Sequence, residues 1–269
     1  MQQAIAVLDS GVGGLTVVKE VMRQLPQEKV IYFGDTARSP YGPRPAEEVR
    51  TFTRQIVDYL IQFNPKMIVI ACNTATAVAI EDIRSRVSVP VLGVISPGAR
   101  AAIKTTRSGV IGVIGTDGTI RSNAYVHALR SIAPSIQVYS EACPLLAPFV
   151  EKGLFEPHEA DAVVEQSLRK LVGKPIDCLI LGCTHYPFLA QAIAKVMGPN
   201  VTLISSADET AREISAILSH RRMLAEPGAL PIHQFFCSGE TEVFKKIAES
   251  WLKDQLSITP VVWQVPRIL

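Results

Sequence analysis

The chain has 269 residues, of which 48% are hydrophobic, 19% charged and 6% aromatic, and it carries a formal net charge of +2. This is the composition of a folded globular protein, with length for one large domain or two smaller ones. A near-neutral balance without a Lys/Arg block gives no sign of a nucleic-acid footprint, and no apolar run approaches the roughly 20 residues of a membrane span.

The first element is a short apolar strand, Ala4–Leu8, leading to Asp9. Residues 1–10 lack a basic n-region and a cleavage site, so no signal peptide is expected and the location is expected to be cytoplasmic. A helix is predicted from about Gly13 to Gln24, stopped by Pro26. A strand follows at Val30–Phe33, then a long helix at Ala46–Phe63 with apolar positions Val49, Phe52, Ile56, Leu60 and Phe63. Met67–Ala71 and Val91–Val94 read as buried strands flanking a helix at Ala75–Arg86. Their near-continuous apolar character points to a parallel sheet covered on both faces.

The pattern then restarts. Val110–Ile114 is a strand, Ile120–Ser131 a helix, Ile136–Tyr139 a strand, and Pro157–Val172 a helix opened by its proline. Cys178–Leu181, Pro187–Met197 and Val201–Ile204 form a further strand–helix–strand set. A helix at Asp208–Arg221 leads through the linker Glu226–Pro231 to a strand at His233–Cys237, a helix at Thr241–Leu252 and a short ending near Val261–Gln264. Such alternation implies α/β architecture with right-handed crossovers.

The restart is an internal echo. The opening strand of each half runs into a turn, DSG (Asp9–Gly11) and GTDG (Gly115–Gly118). Later in each half an apolar run ends in a cysteine, MIVIACNTAT at Cys72 and CLILGCTHYP at Cys183. We therefore expect two pseudo-symmetric, doubly wound α/β domains with parallel sheets and the active site between them. The first would comprise residues 1–96 completed by 208–269, the second residues 97–207.

In open α/β sheets ligands bind beyond the carboxyl ends of the strands. Asp9, Ser10, Cys72, Asn73, Thr74, Thr116, Cys183, Thr184 and His185 all fall there. A cysteine between a strand end and a helix start feels the positive end of the helix dipole, which favours thiolate. Cys143, Cys178 and Cys237 read instead as small core hydrophobes, and all five thiols are expected to be free. A Cys-x-His pair places adjacent metal ligands poorly and no second cluster completes a zinc site, so no metal is expected. Two thiols facing one cleft can do what one cannot. A thiolate can remove a proton from carbon while a thiol on the opposite face supplies one, which inverts that carbon.

Six stretches carry a family resemblance: DSGVGG (Asp9–Gly14), YFGDTARSPYG (Tyr32–Gly42), ACNTATA (Ala71–Ala77), GTDGTIRS (Gly115–Ser122), ACPLLAPFVEKG (Ala142–Gly153) and LGCTHYP (Leu181–Pro187). Together, and in this order, they closely resemble the cofactor-independent glutamate racemases of the aspartate/glutamate racemase superfamily. The resemblance implies that Cys72 and Cys183 are the acid/base pair, working on D- and L-glutamate respectively, assisted by Asp9 and His185. It implies substrate contacts at Asp9, Ser10, Pro40, Tyr41, Gly42, Asn73, Thr74, Thr116, Thr119, Thr184 and His185, with Asp35 and Glu151 in support. It further implies that D-glutamate is supplied for peptidoglycan synthesis. No cofactor is expected, and the expected partners are L- or D-glutamate and a second copy of the chain in a homodimer, with no nucleic acid and no membrane.

The residues alone leave some roles open. Asp9 also suits a helix cap, His185 a hydrogen-bonded structural histidine, and Asp35 and Glu151 the shaping of loops. Aspartate is the alternative substrate. A dinucleotide-binding reading of the first turn stands against Thr16 at the third glycine position and against the charge of Asp9. No lysine lies at a strand-end motif to bind pyridoxal phosphate.

Overall fold

The computed structural model describes residues 2–152, 156–252 and 258–261. In chain order the elements are β1 (Ile5–Asp9), α1 (Leu15–Gln24), β2 (Val30–Gly34), α2 (Ala46–Leu60), β3 (Met67–Ile70), α3 (Asn73–Arg86), β4 (Val91–Gly93) and α4 (Ile95–Thr105). Then come β5 (Val110–Gly115), α5 (Asp117–Arg121), α6 (Ala124–Ile132), β6 (Gln137–Ala142), α7 (Leu146–Glu151), α8 (Pro157–Leu168), β7 (Cys178–Gly182), α9 (Ala190–Met197) and β8 (Thr202–Ser205). The chain continues through α10 (Ser206–His220), β9 (Gln234–Cys237), α11 (Thr241–Leu252) and β10 (Ile258–Pro260).

Two parallel sheets form, in the orders β10-β9-β2-β1-β3-β4 and β6-β5-β7-β8. The run β2-β1-β3-β4 has the same winding as β6-β5-β7-β8, so the echo in the sequence is a repeat in topology. Both sheets are covered on both faces, as their apolar strands require. Ile5, Val7, Met67 and Val69 enter one core of the first sheet, and Ala6, Leu8, Ile68 and Ile70 enter the other. In the second sheet Leu179 and Leu181 face one core and Cys178 and Ile180 its opposite. The C-terminal part joins the first sheet, where β9 pairs with β2 from Ile31↔Gln234 to Gly34↔Cys237.

Several elements depart from the sequence expectation. The helix expected at Ile120–Ser131 is two, α5 and α6, because Asn123 takes a left-handed conformation (φ 55°) between them. The long second helix ends at Leu60 and continues as a 3-10 turn, Ile61–Phe63. Helix α4 was not anticipated, since Pro97 and Gly98 look like breakers. Pro97 sits in the first turn, where no N–H is needed, and a Cβ on Gly98 would lie 3.2 Å from the Ser206 Cβ of α10. Helix α7, which ends in Glu151, was also unforeseen. The last strand, β10, precedes the ending expected near Val261–Gln264, whose residues 262–264 lie outside the described residues, as does Gly153 of the fifth motif.

Candidate active site

Parallel winding puts the carboxyl ends of β1, β3, β5 and β7 on the edges of their sheets where helices begin. Register aligns Leu8 with Ile70 in the first sheet and Gly115 with Gly182 in the second. Cys72 therefore follows β3 where Cys183 follows β7. The two halves meet at this edge over a narrow pocket. It is lined by Ser10, Ser39, Pro40, Tyr41, Gly42, Cys72, Asn73, Thr74, Thr116, Ala147, Glu151, Cys183 and His185. Both thiols line this one pocket, one from each half.

Glycines allow the halves to approach. A Cβ on Gly13 would stand 2.3 Å from Thr184 Oγ1 and 2.7 Å from the His185 ring. A Cβ on Gly42 would stand 2.7 Å from the Thr116 Cβ, and the Gly42 carbonyl accepts from Gly118 N at 2.9 Å.

On the first side, Cys72 is the N-cap of α3, and its sulfur accepts from Ala75 N at 3.5 Å and lies 3.7 Å from Ser10 Oγ. The dipole argument leads to a thiolate here, and the structure corrects it. Burial, reinforced by the neighbouring Asp9 charge, outweighs these donors and pushes the Cys72 thiol up to about 12. Asp9 is wholly buried and stands behind the lining residues. It does not provide the N-cap of α1, which is Gly14 with no side-chain cap. Its carboxylate instead accepts from Gly11 N at 3.0 Å and from Thr184 Oγ1 at 3.4 Å. Burial raises the Asp9 carboxyl above its ordinary value, against the lowering pull of His185 and the Gly11 N–H.

On the second side, Cys183 Sγ lies 3.5 Å from His185 Nδ1, and His185 Nε2 lies 3.1 Å from Glu151 Oε1. Ser39 Oγ reaches across from the first half to Glu151 Oε1 at 3.2 Å. Burial opposes the charge on His185, but its hydrogen bonds to Cys183 and Glu151 prevail and lift its pKa well above 6.5. Burial likewise works to raise Glu151, and the hydrogen bond and charge of His185 hold it below its ordinary value.

Polar groups complete the pocket. Thr74 Oγ1 meets Thr116 Oγ1 at 2.8 Å and Thr119 Oγ1 at 3.3 Å, joining the starts of α3 and α5. Thr119, Thr184 and Asp35 stand behind the lining; Asp35 accepts from the Tyr41 hydroxyl and from Arg38 Nε at 2.6 Å. The side-chain Oδ1 of Asn73 accepts from Tyr125 OH at 2.7 Å, while its buried Nδ2 finds no partner among the described residues. A buried amide left this way is a donor held ready for a ligand. The sequence reading missed Ser39, Ala147 and Tyr125. Tyr125 lies in an amphipathic helix like many core aromatics, and its polar tip, which must be satisfied when buried, was the available signal.

Among the described residues no group of three or more His, Cys, Asp or Glu side chains is gathered to hold a metal, and no helix is long and apolar enough to cross a membrane. The profile of the Asp/Glu/Hydantoin racemase family matches residues 7–214. A glutamate racemase from Oceanobacillus iheyensis is 54% identical over 251 residues, 93% of this chain and 92% of its own. Among solved structures, a glutamate racemase isoform from Bacillus anthracis superposes with a TM-score of 0.94 at 51% identity, covering 96% of this chain and 97% of its own. A Francisella tularensis glutamate racemase in complex with D-glutamate gives 0.90 at 34%, covering 98% of each chain.

Proposed function

The chain belongs to the Asp/Glu/Hydantoin racemase family, and from that membership we propose that it interconverts L- and D-glutamate by moving a proton across Cα between Cys72 and Cys183, without a cofactor. The observation that carries this reading is the pair of thiols at equivalent strand ends of two repeated sheets, both lining one pocket. Aspartate as substrate is not favoured, since the relatives matched at more than half identity are named glutamate racemases.

Substrate carboxylates would be held by Asn73 Nδ2, by the hydroxyls of Thr74 and Thr116, and by main-chain N–H groups at the starts of α3 and α5. The substrate ammonium changes the electrostatics. Placed in the pocket beside Glu151 and the sulfurs, it adds a positive charge that favours a thiolate against the burial and the Asp9 charge that raise Cys72. Asp9, already raised, is suited to share the Cys72 proton. One thiolate then removes the α-proton, and exclusion of water with fixed donors stabilises the carbanion that develops. The opposite thiol protonates the other face and becomes the thiolate, so the enzyme finishes in the mirror protonation state and resets. The product D-glutamate would serve peptidoglycan synthesis in the cytosol.

The test is Cys72→Ser beside Cys183→Ser, with turnover followed by circular dichroism from each enantiomer and D-glutamate binding followed by calorimetry. Each variant should lose at least about 100-fold in turnover and still bind D-glutamate. Near-normal turnover in either variant removes that sulfur from the reaction.

A further inference from the structure

Tyr41 lines the pocket from the loop that follows β2, yet one of the groups that holds it comes from the far end of the chain. Asp35, fully buried at the start of that loop, accepts from Tyr41 OH and Arg38 Nε on one oxygen and from Ser238 Oγ, at 2.7 Å, on the other. The Ser238 hydroxyl also accepts from Ala37 N at 3.1 Å. Its neighbours add to the seam. Ser238 N donates to the Gly34 carbonyl at 3.2 Å, Gly239 N donates to Thr36 Oγ1 at 2.9 Å, and that hydroxyl meets Cys237 Sγ at 2.9 Å. A Cβ on Gly239 would stand 2.6 Å from Thr36 Oγ1 and 3.1 Å from Ala37 N, so the turn lies at a distance that a side chain would not permit.

We propose that the turn Cys237–Gly239 is a strap for the substrate loop 36–42, and that Ser238 is a positioning residue that orients Tyr41 through Asp35. This rests on the racemase reading, because Tyr41 matters to the extent that it faces glutamate. A carboxylate held at both oxygens is oriented more tightly than one that has lost the Ser238 bond; without that bond its orientation is less sharply defined, and so is that of the Tyr41 hydroxyl bonded to it. Tyr41 and its loop contact the substrate and the transition state alike, so loosening them weakens both by a similar amount. Such a loss appears in KM and leaves kcat nearly unchanged.

The experiment compares wild type, Ser238→Ala, Ser238→Thr and Gly239→Ala in both reaction directions, with amide hydrogen exchange of the peptide spanning residues 36–42. Ser238→Ala should raise KM for both enantiomers about fivefold, the effect of one lost hydrogen bond, with kcat within about twofold. Ser238→Thr, which keeps the hydroxyl, should restore KM. Gly239→Ala should raise KM by crowding Thr36. Exchange at 36–42 should quicken in Ser238→Ala while that of 67–86 stays as in wild type. An unchanged KM in Ser238→Ala from an active wild type, or a lowered melting temperature with KM and loop exchange unchanged, overturns the strap. A wild type that turns over neither enantiomer overturns the racemase reading instead, and loop exchange then decides the strap by itself.

Discussion

Cys183 Sγ lies 3.5 Å from Nδ1 of His185, whereas Cys72, at the equivalent strand end, meets the Ser10 hydroxyl at 3.7 Å and the field of Asp9. The two sides of the pocket repeat each other in topology and differ in chemistry. An imidazole paired with Glu151 stands beside the Cys183 sulfur, while burial and then the carboxylate of Asp9 oppose a thiolate at Cys72.

His185→Asn should lower kcat/KM about 100-fold, within the usual range for a misplaced acid–base group. The enantiomers have equal free energies, so kcat/KM must fall by the same factor in both directions. The asymmetry of the site can show only in kcat and KM taken separately, with the larger fall in kcat where Cys183 begins as the base. Progress curves from each enantiomer measure this, and kcat/KM near the wild-type value would separate His185 from proton transfer.

Alkaline pH should destabilise the fold. Burial pushes the thiols of Cys72, Cys143 and Cys178 up to about 12, against about 8.5 in an unfolded chain. Between those values the unfolded state has released protons that the folded state keeps. The stabilisation is therefore complete below about pH 8.5 and is lost as pH rises toward 12, by at most about 1.4 kcal/mol per pH unit for each thiol. Melting temperatures from pH 8 to 11 should fall, and Cys178→Ala, although less stable at the start, should fall less steeply. An equal slope in that variant would contradict the assignment.

Gly13→Ala should reduce turnover at least about tenfold, because its Cβ needs the space held by Thr184 Oγ1 and the His185 ring. The turn is at the edge of the pocket and outside the strand cores, so far-ultraviolet circular dichroism should stay native. Full activity would mean that the halves do not need this approach.

Tyr125→Phe removes the hydroxyl that holds the side-chain Oδ1 of Asn73 at 2.7 Å. The loss of one buried hydrogen bond, about 1 kcal/mol, should raise KM about fivefold as the amide turns from its ready orientation. An unchanged KM would show that packing alone orients Asn73.

Much of this protein can be read without coordinates, because the signals concerned are local. Apolar runs such as Met67–Ile70 carry their own evidence for a strand, and a cysteine at the end of two such runs marks equivalent places. Repeated order along the chain becomes repeated winding, since right-handed crossovers leave a βαβ unit few alternatives. Helices α4 and α7 escaped because the features that allow them, Pro97 in a first turn and Gly98 close to Ser206, have meaning only against neighbours.

What the sequence by itself determined is the pair of sulfurs, the strand ends that carry them and the duplication that sets them opposite one another. The tertiary structure alone decided the protonation of Cys72, the place of Asp9 behind the pocket, the Tyr125 bond to Asn73 and the reach of Ser238 to Asp35. The physical reason is range. Strand and helix signals act over a few neighbouring residues, but desolvation and buried hydrogen bonds depend on groups that meet only when distant segments pack.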